Sequence, residues 1–194
     1  MKLSGAQIIE AALALLQEDG LEGVTFRKLQ TRLSVTAPTL YWRFHSKAEL
    51  LNAMSEHIIA GHVEIAEVSD RSWRQYVIEA LTSVREAMLT YKDGSRIVAD
   101  AGILGTPSLA SIIEEGLDLM RTQGVLIAES SLIIFAALHY TFGHVIEEQT
   151  SLDRSDQQIF LRTHPLIQEA VISKSAKRAT SAEIYLSGLE RILG

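Results

Sequence analysis

Apolar residues recur at three- and four-residue spacing along almost the whole chain, and no stretch alternates apolar with polar residues. That period turns one face of a helix inward again and again and leaves strands no pattern to follow. Only three prolines occur in 194 residues, so little interrupts it. The fold class expected is all-α. An apolar content of 47% is ample for one substantial interior or two small ones.

Start and stop signals divide the pattern. Ser4 and Gln7 have the form of a capping box ahead of Ile8, Ile9, Ala12, Leu13 and Leu16, and Gly20 is a plausible stop. Thr25 can cap a short helix, FRKLQTRL, with Leu29 and Leu33 on one side, and Ser34–Val35 makes the break after it. Thr36 caps a third helix that tolerates Pro38 in its first turn, where amides have no intrahelical acceptor to lose. Ser46 with Glu49 makes a second capping box and opens a longer helix containing Leu50, Leu51, Met54, Ile58 and Ile59. Further helices are expected near 71–92, 95–103, 107–122, 126–149, 164–174 and 180–193.

Two short helices joined by so brief a break are what a helix-turn-helix requires. Charge supports that reading. The net charge is −6, yet residues 24–48 hold Arg27, Lys28, Arg32, Arg43 and Lys47 with no Asp or Glu. Residues 1–60 carry six basic and six acidic side chains, so the whole deficit lies beyond them. An acidic protein with one positive segment has one end suited to a polyanion. In a helix-turn-helix the second helix enters the major groove by its N-terminal end. Here that end presents Thr36, Ala37 and Thr39 to base edges. Tyr41 offers a hydroxyl to phosphate, Arg27 and Lys28 begin the helix that crosses the backbone, and Lys47 adds a cation at the next helix start. Leu40 and Phe44 belong to the core by their spacing. Trp42 fits either packing or phosphate contact.

Other classes find less support. There is no cysteine, hence no disulfide framework or thiolate metal site. No phosphate loop, no G-x-S-x-G elbow and no H-E-x-x-H appears, so no enzyme, cofactor or metal is expected. His57 and His62, like His139 and His144, are five residues apart, off the spacing that puts two ligands on one helical face. His139 is expected in the core as a hydrogen-bonded histidine, with ligand contact as its alternative. The N-terminal apolar stretch is broken by Glu10, and SSLIIFAALHYTFGHVI is broken by histidines, so no leader or membrane span is expected and the reading is cytoplasmic.

The segments VTFRKLQTRLSV and PTLYWRFHSKAELL resemble the DNA-binding domain of TetR-family transcriptional regulators. YKDGSRIV, HYTFGHVIEEQ and SGLERIL are similar to the ligand-binding and dimerisation domain of the tetracycline-repressor branch. The resemblance implies a helix-turn-helix domain over residues 1–46, a connector helix near 47–65, and an effector and dimerisation domain over 66–194. By likeness, Arg27, Lys28, Thr36, Ala37, Pro38, Thr39, Tyr41, Trp42 and Lys47 fall where the family touches double-stranded DNA. It further implies a homodimer joined through helices 126–149 and 180–193, which carry Ile133, Ile134, Leu138, Phe142, Ile184, Leu186, Leu189 and Ile192. Such a dimer reads a palindromic operator and is released by a small-molecule effector. The effector pocket is expected between the long helices, lined by Val84, Met88, Ile103, Leu117, Ile134, Phe135 and His139. Val63, Ala80 and Val98 stand where the branch has histidine, asparagine and the metal-binding histidine. Glu147 matches its metal-proximal carboxylate. Three apolar replacements favour an apolar or aromatic effector over a metal chelate. Two departures lie in the head: Ser34 replaces the usual turn glycine, and Gln30 a small alanine. A helical small-molecule carrier, or an interaction module without operator binding, is the alternative.

Overall fold

The computed structural model, described over residues 3–63, 71–150, 163–176 and 179–194, holds ten α-helices and one 3-10 turn, with no strand among the described residues. The first helix, α1 (Gly5–Asp19), opens on the full reciprocal box of Ser4 and Gln7 and stops at Gly20, whose φ of 74° suits glycine. A 3-10 turn, Leu21–Gly23, leads to α2 (Phe26–Leu33) and α3 (Ala37–Tyr41). Ile8, Leu16, Leu29 and Leu40 are fully buried where these helices meet. So small a head needs further support. It comes from α4 (Lys47–Ala60), which buries Leu50, Met54, Ile58 and Ile59 and packs on α1 as well as on the larger body.

The body begins with α5 (Trp73–Leu89), started by a second reciprocal box between Ser72 and Gln75. Next come α6 (Gly94–Gly105) and α7 (Pro107–Thr122), bent by 68° about the buried Thr106. Inside α6, Gly102 takes φ 57° and ψ −163°, a backbone open essentially to glycine alone. The 23-residue α8 (Ile127–Gln149) packs against α5, α6 and α7. The last helices are α9 (Pro165–Ala176) and α10 (Ser181–Leu193). Tyr185, Leu189 and Leu193 seat α10 on α8 and α5, and a side chain at Gly188 would collide with the Tyr140 hydroxyl. Arg85, buried on α5, makes a two-toothed ion pair with Glu148 of α8. The expected boundary between connector and body at 65–66 lies outside the described residues. Among those described, no single helix is long and apolar enough to cross a membrane.

Candidate nucleic-acid interface and effector region

Thr25 caps α2 by accepting the Lys28 amide at 3.2 Å. The helix ends on Ser34, which takes the left-handed conformation (φ 54°, ψ 44°), while the Val35 amide reaches back to the Gln30 carbonyl at 3.1 Å. This is the hydrogen-bond pattern that glycine usually completes. Gln30 is only partly buried and does not prevent Leu29 and Leu40 from closing the head's interior.

Beyond the turn, Leu40 and Phe44 point into the core as their spacing requires. Trp42 is 81% exposed, which removes packing as its role. Tyr41 is 47% exposed, and its ring stacks on Phe26 with centroids 4.7 Å apart. Packing thereby fixes the ring and leaves its edge in solvent. Two local expectations are corrected. The Thr36 hydroxyl caps no amide and instead meets the Thr39 hydroxyl at 3.1 Å, both residues being exposed. The box at Ser46 is half formed: Ser46 accepts the Glu49 amide, but Glu49 turns back one residue further, to the His45 amide at 2.8 Å.

The cations divide into two groups. Lys28 is bound to Asp19 at 2.7 Å, and Arg32 grips Glu18 through both carboxylate oxygens at 2.7 Å. These contacts lower the carboxyl pKa values, the hydrogen bond from Arg32 dominating for Glu18 and that from Lys28 for Asp19. Arg27, Arg43 and Lys47 are exposed and form no ion pair among the described residues. Of the nine positions expected to face DNA, Ala37 is half-buried and the other eight are exposed, with Lys28 tied to α1. Arg43 is not among the nine. It stands beside Trp42 within the acid-free segment.

The ten expected effector residues are not gathered around one opening. Ala80, Val84, Met88, Val98 and Ile134 are closed inside the core. Val63 borders a cleft of about 290 Å³ with Ser108, Ser111 and Glu115, and Leu117 another with Asp118, Arg121 and Ile127. Ile103, Phe135 and His139 do meet, in a groove of about 460 Å³ completed by Leu104, Leu138 and Phe142. His139 is therefore not a core histidine. Along α8 it follows Phe135 by four residues and is exposed, beside the face that buries Ile134, Thr141 and Val145. No sequence pattern points to Leu104, the fully exposed residue beside the Gly102 kink. Glu147 lies in a separate cleft with His144, Glu148, Ser181 and Ile184. Among the described residues no three His, Asp or Glu side chains are placed to hold a metal.

Residues 8–54 match the bacterial regulatory proteins of the tetR family, and residues 67–193 match the tetracyclin repressor-like C-terminal domain. The chain belongs to the TetR family. That family is one of regulatory proteins, not of enzymes. This TetR-family chain is 35% identical to tetracycline repressor protein class E of Escherichia coli, over 99% of its own length and 90% of that protein's. Among solved structures it is similar to a variant of TetR from Acinetobacter baumannii AYE in complex with minocycline, at 30% identity and a TM-score of 0.69 over 98% of each chain. It is also similar to BioQ with its natural double-stranded DNA operator, at 28% identity and a TM-score of 0.69, covering 83% of this chain and 94% of that one.

Proposed function

We propose that this TetR-family regulator is a homodimeric repressor that leaves a palindromic operator when a small, mainly apolar or aromatic effector binds its body. The observation that carries the DNA-binding half is the exposed surface of α2 and α3. Thr36, Thr39, Tyr41, Trp42, Arg27 and Lys47 all face solvent in a segment without acids. Thr hydroxyls and methyls suit base edges, and the cations suit phosphate. The likeness to BioQ bound to its operator supports the same assignment.

Dimerisation is assigned to α8 and α10. Leu132 is exposed, and Ile133, Phe142, Ile184, Leu186 and Ile192 are only partly covered within the protomer. A two-fold pair of heads would place its recognition helices about 34 Å apart on one face of the duplex. The effector reading rests on Ile103, Phe135 and His139 around the open groove, which Leu104, Leu138 and Phe142 complete as a mainly apolar lining. Neither Val98 nor Val63 can offer an imidazole to a metal chelate, which separates this chain's effector from minocycline-like drugs. Release follows when the effector binds the non-DNA-binding state more tightly than the other.

The test is selection of random duplex DNA by the purified protein, with sequencing of what is retained. A two-fold symmetric site supports the reading. Recovery of no symmetric site removes operator binding and moves the chain toward a carrier or interaction role.

A further inference from the structure

Asp19 stands where the head meets the body, and the contacts around it join the two. The Gln17 side chain takes the Lys92 amide at 2.6 Å and gives a hydrogen bond to the Thr90 carbonyl at 3.2 Å. One residue beyond Gly20, the Leu21 amide donates to the Asp93 carboxylate at 2.9 Å. The end of α1 is thus clasped by the turn between α5 and α6. Asp93 holds a left-handed backbone (φ 54°) there, and an added Cβ on Gly20 would lie 2.8 Å from its Oδ2 and 3.6 Å from the Lys92 Nζ. Lys92 is exposed and has no ion pair among the described residues, although its ammonium lies next to the residue following Asp19. Asp19 itself is already bound to Lys28, a cation of the DNA-facing segment.

We propose that Asp19 and Lys92, both outside the DNA-facing segment, are positioning residues for duplex binding: phosphate takes Lys28 from Asp19, and Asp19 passes to Lys92. The inference rests on the DNA-binding reading above. Phosphate and Asp19 compete for one ammonium group. Once Lys28 turns to DNA, an unpartnered Asp19 carboxylate would stand close to a polyanion and repel it. Lys92, its ammonium beside Gly20, is placed to neutralise it, whereas Arg32, which also acts on Asp19, is held by both carboxylate oxygens of Glu18. The new pair would add a charge contact to the backbone clasp at Gln17 and Leu21, fastening the head to the α5–α6 turn while DNA is bound. Lys92 also lowers the Asp19 pKa, though less than Lys28 does, in keeping with its proximity.

The test is a double-mutant cycle on the full-length protein, using a duplex of about 30 base pairs at roughly 50 mM salt, where phosphate contacts bind without regard to sequence. Lys92→Ala is expected to weaken binding about three- to tenfold in the wild-type background and less than about twofold in Asp19→Asn, with Lys92→Arg restoring most of the loss. Asp19→Asn alone should leave the salt dependence nearly unchanged, because Lys92 already takes the carboxylate that Lys28 leaves, whereas in Lys92→Ala the freed carboxylate recruits a cation and flattens the log–log slope by up to about 0.9. A merely structural Lys92 would move thermal stability and leave the cycle additive. If Lys92→Ala is silent, or its effect persists undiminished in Asp19→Asn, the relay is overturned while DNA binding stands. If no duplex binds even at this salt, both readings fall.

Discussion

The Ser55 hydroxyl of α4 lies 2.6 Å from the Thr106 hydroxyl at the α6–α7 corner, and neither residue is exposed. Beside it, Glu56 takes the Ser108 amide at 2.9 Å and also its hydroxyl, so two consecutive residues of α4 hold the start of α7. The helix that carries the DNA-binding head is therefore pinned to the body where α6 bends. Ser55→Ala leaves a buried Thr106 hydroxyl without its partner and is expected to cost about 1–3 kcal/mol. Ser55→Ala with Thr106→Val removes both hydroxyls and should cost clearly less than the sum of the single changes. Denaturant unfolding of the four proteins gives the cycle, and strict additivity would show that the two hydroxyls do not interact.

On the exposed side of the helix-turn-helix, Tyr41 has two separable parts. Its ring packs on Phe26, whereas its hydroxyl is free for phosphate. Tyr41→Phe should weaken duplex binding with little change in melting temperature, and Tyr41→Ala should lower both. Lys47→Ala should weaken binding to all sequences alike and flatten the salt dependence by about 0.9 in slope. Thr39→Ala should instead relax sequence preference, seen by repeating the duplex selection with the variant. A Lys47→Ala protein with unchanged salt slope would remove Lys47 from the interface.

Ser34 holds its left-handed backbone without glycine's freedom. That conformation costs an L-residue about 1–2 kcal/mol, while glycine gives back roughly 0.4–1 kcal/mol through its looser unfolded chain. Ser34→Gly is therefore expected to stabilise the head by about 0.5–1 kcal/mol. Thermal melting measures it, and a lower melting temperature would show that the Ser34 side chain contributes more than its backbone costs.

Local chemistry is legible in the sequence, and distant pairing is not. The caps at Ser4 and Thr25, the stop at Gly20 and the inward Leu40 and Phe44 follow from spacings of a few residues. Ser72 with Gln75 repeats the Ser4 pattern and is readable in the same way, although the helix begins slightly later than the expected 71. The pairing of Lys28 with Asp19 and of Arg32 with Glu18 depends on how α2 crosses α1, which no local pattern states. The acid-free stretch thus overstates its free charge. In α8 the apolar residues run around most of the helix, so periodicity does not choose the inward face, and the core assignment of His139 fails for that reason. The effector residues scatter for a related reason: a helix's composition does not say which neighbour each face meets.

His144 provides a pH test. Its ring lies among Tyr140 and Tyr185, with Ser181 Oγ at 3.3 Å and Glu148 at 3.7 Å, and Arg85 and Glu147 complete the charged groups around it. Burial, the largest influence, lowers its pKa below the ordinary 6.5, with Glu148 opposing and Arg85 assisting. The folded state therefore binds the His144 proton less readily than the unfolded chain does. Between the lowered folded value and 6.5 the unfolded state carries more protons, so stability falls as pH drops through that window and levels off below the folded value. Unfolding measured from pH 7.5 to about 5 should show this slope in the wild type and a shallower one in His144→Gln, which keeps a polar group facing Ser181. Equal slopes in the two proteins would remove His144 as the source of the acid sensitivity, since the lowered pKa values of Glu18 and Asp19 place their own losses below this pH range.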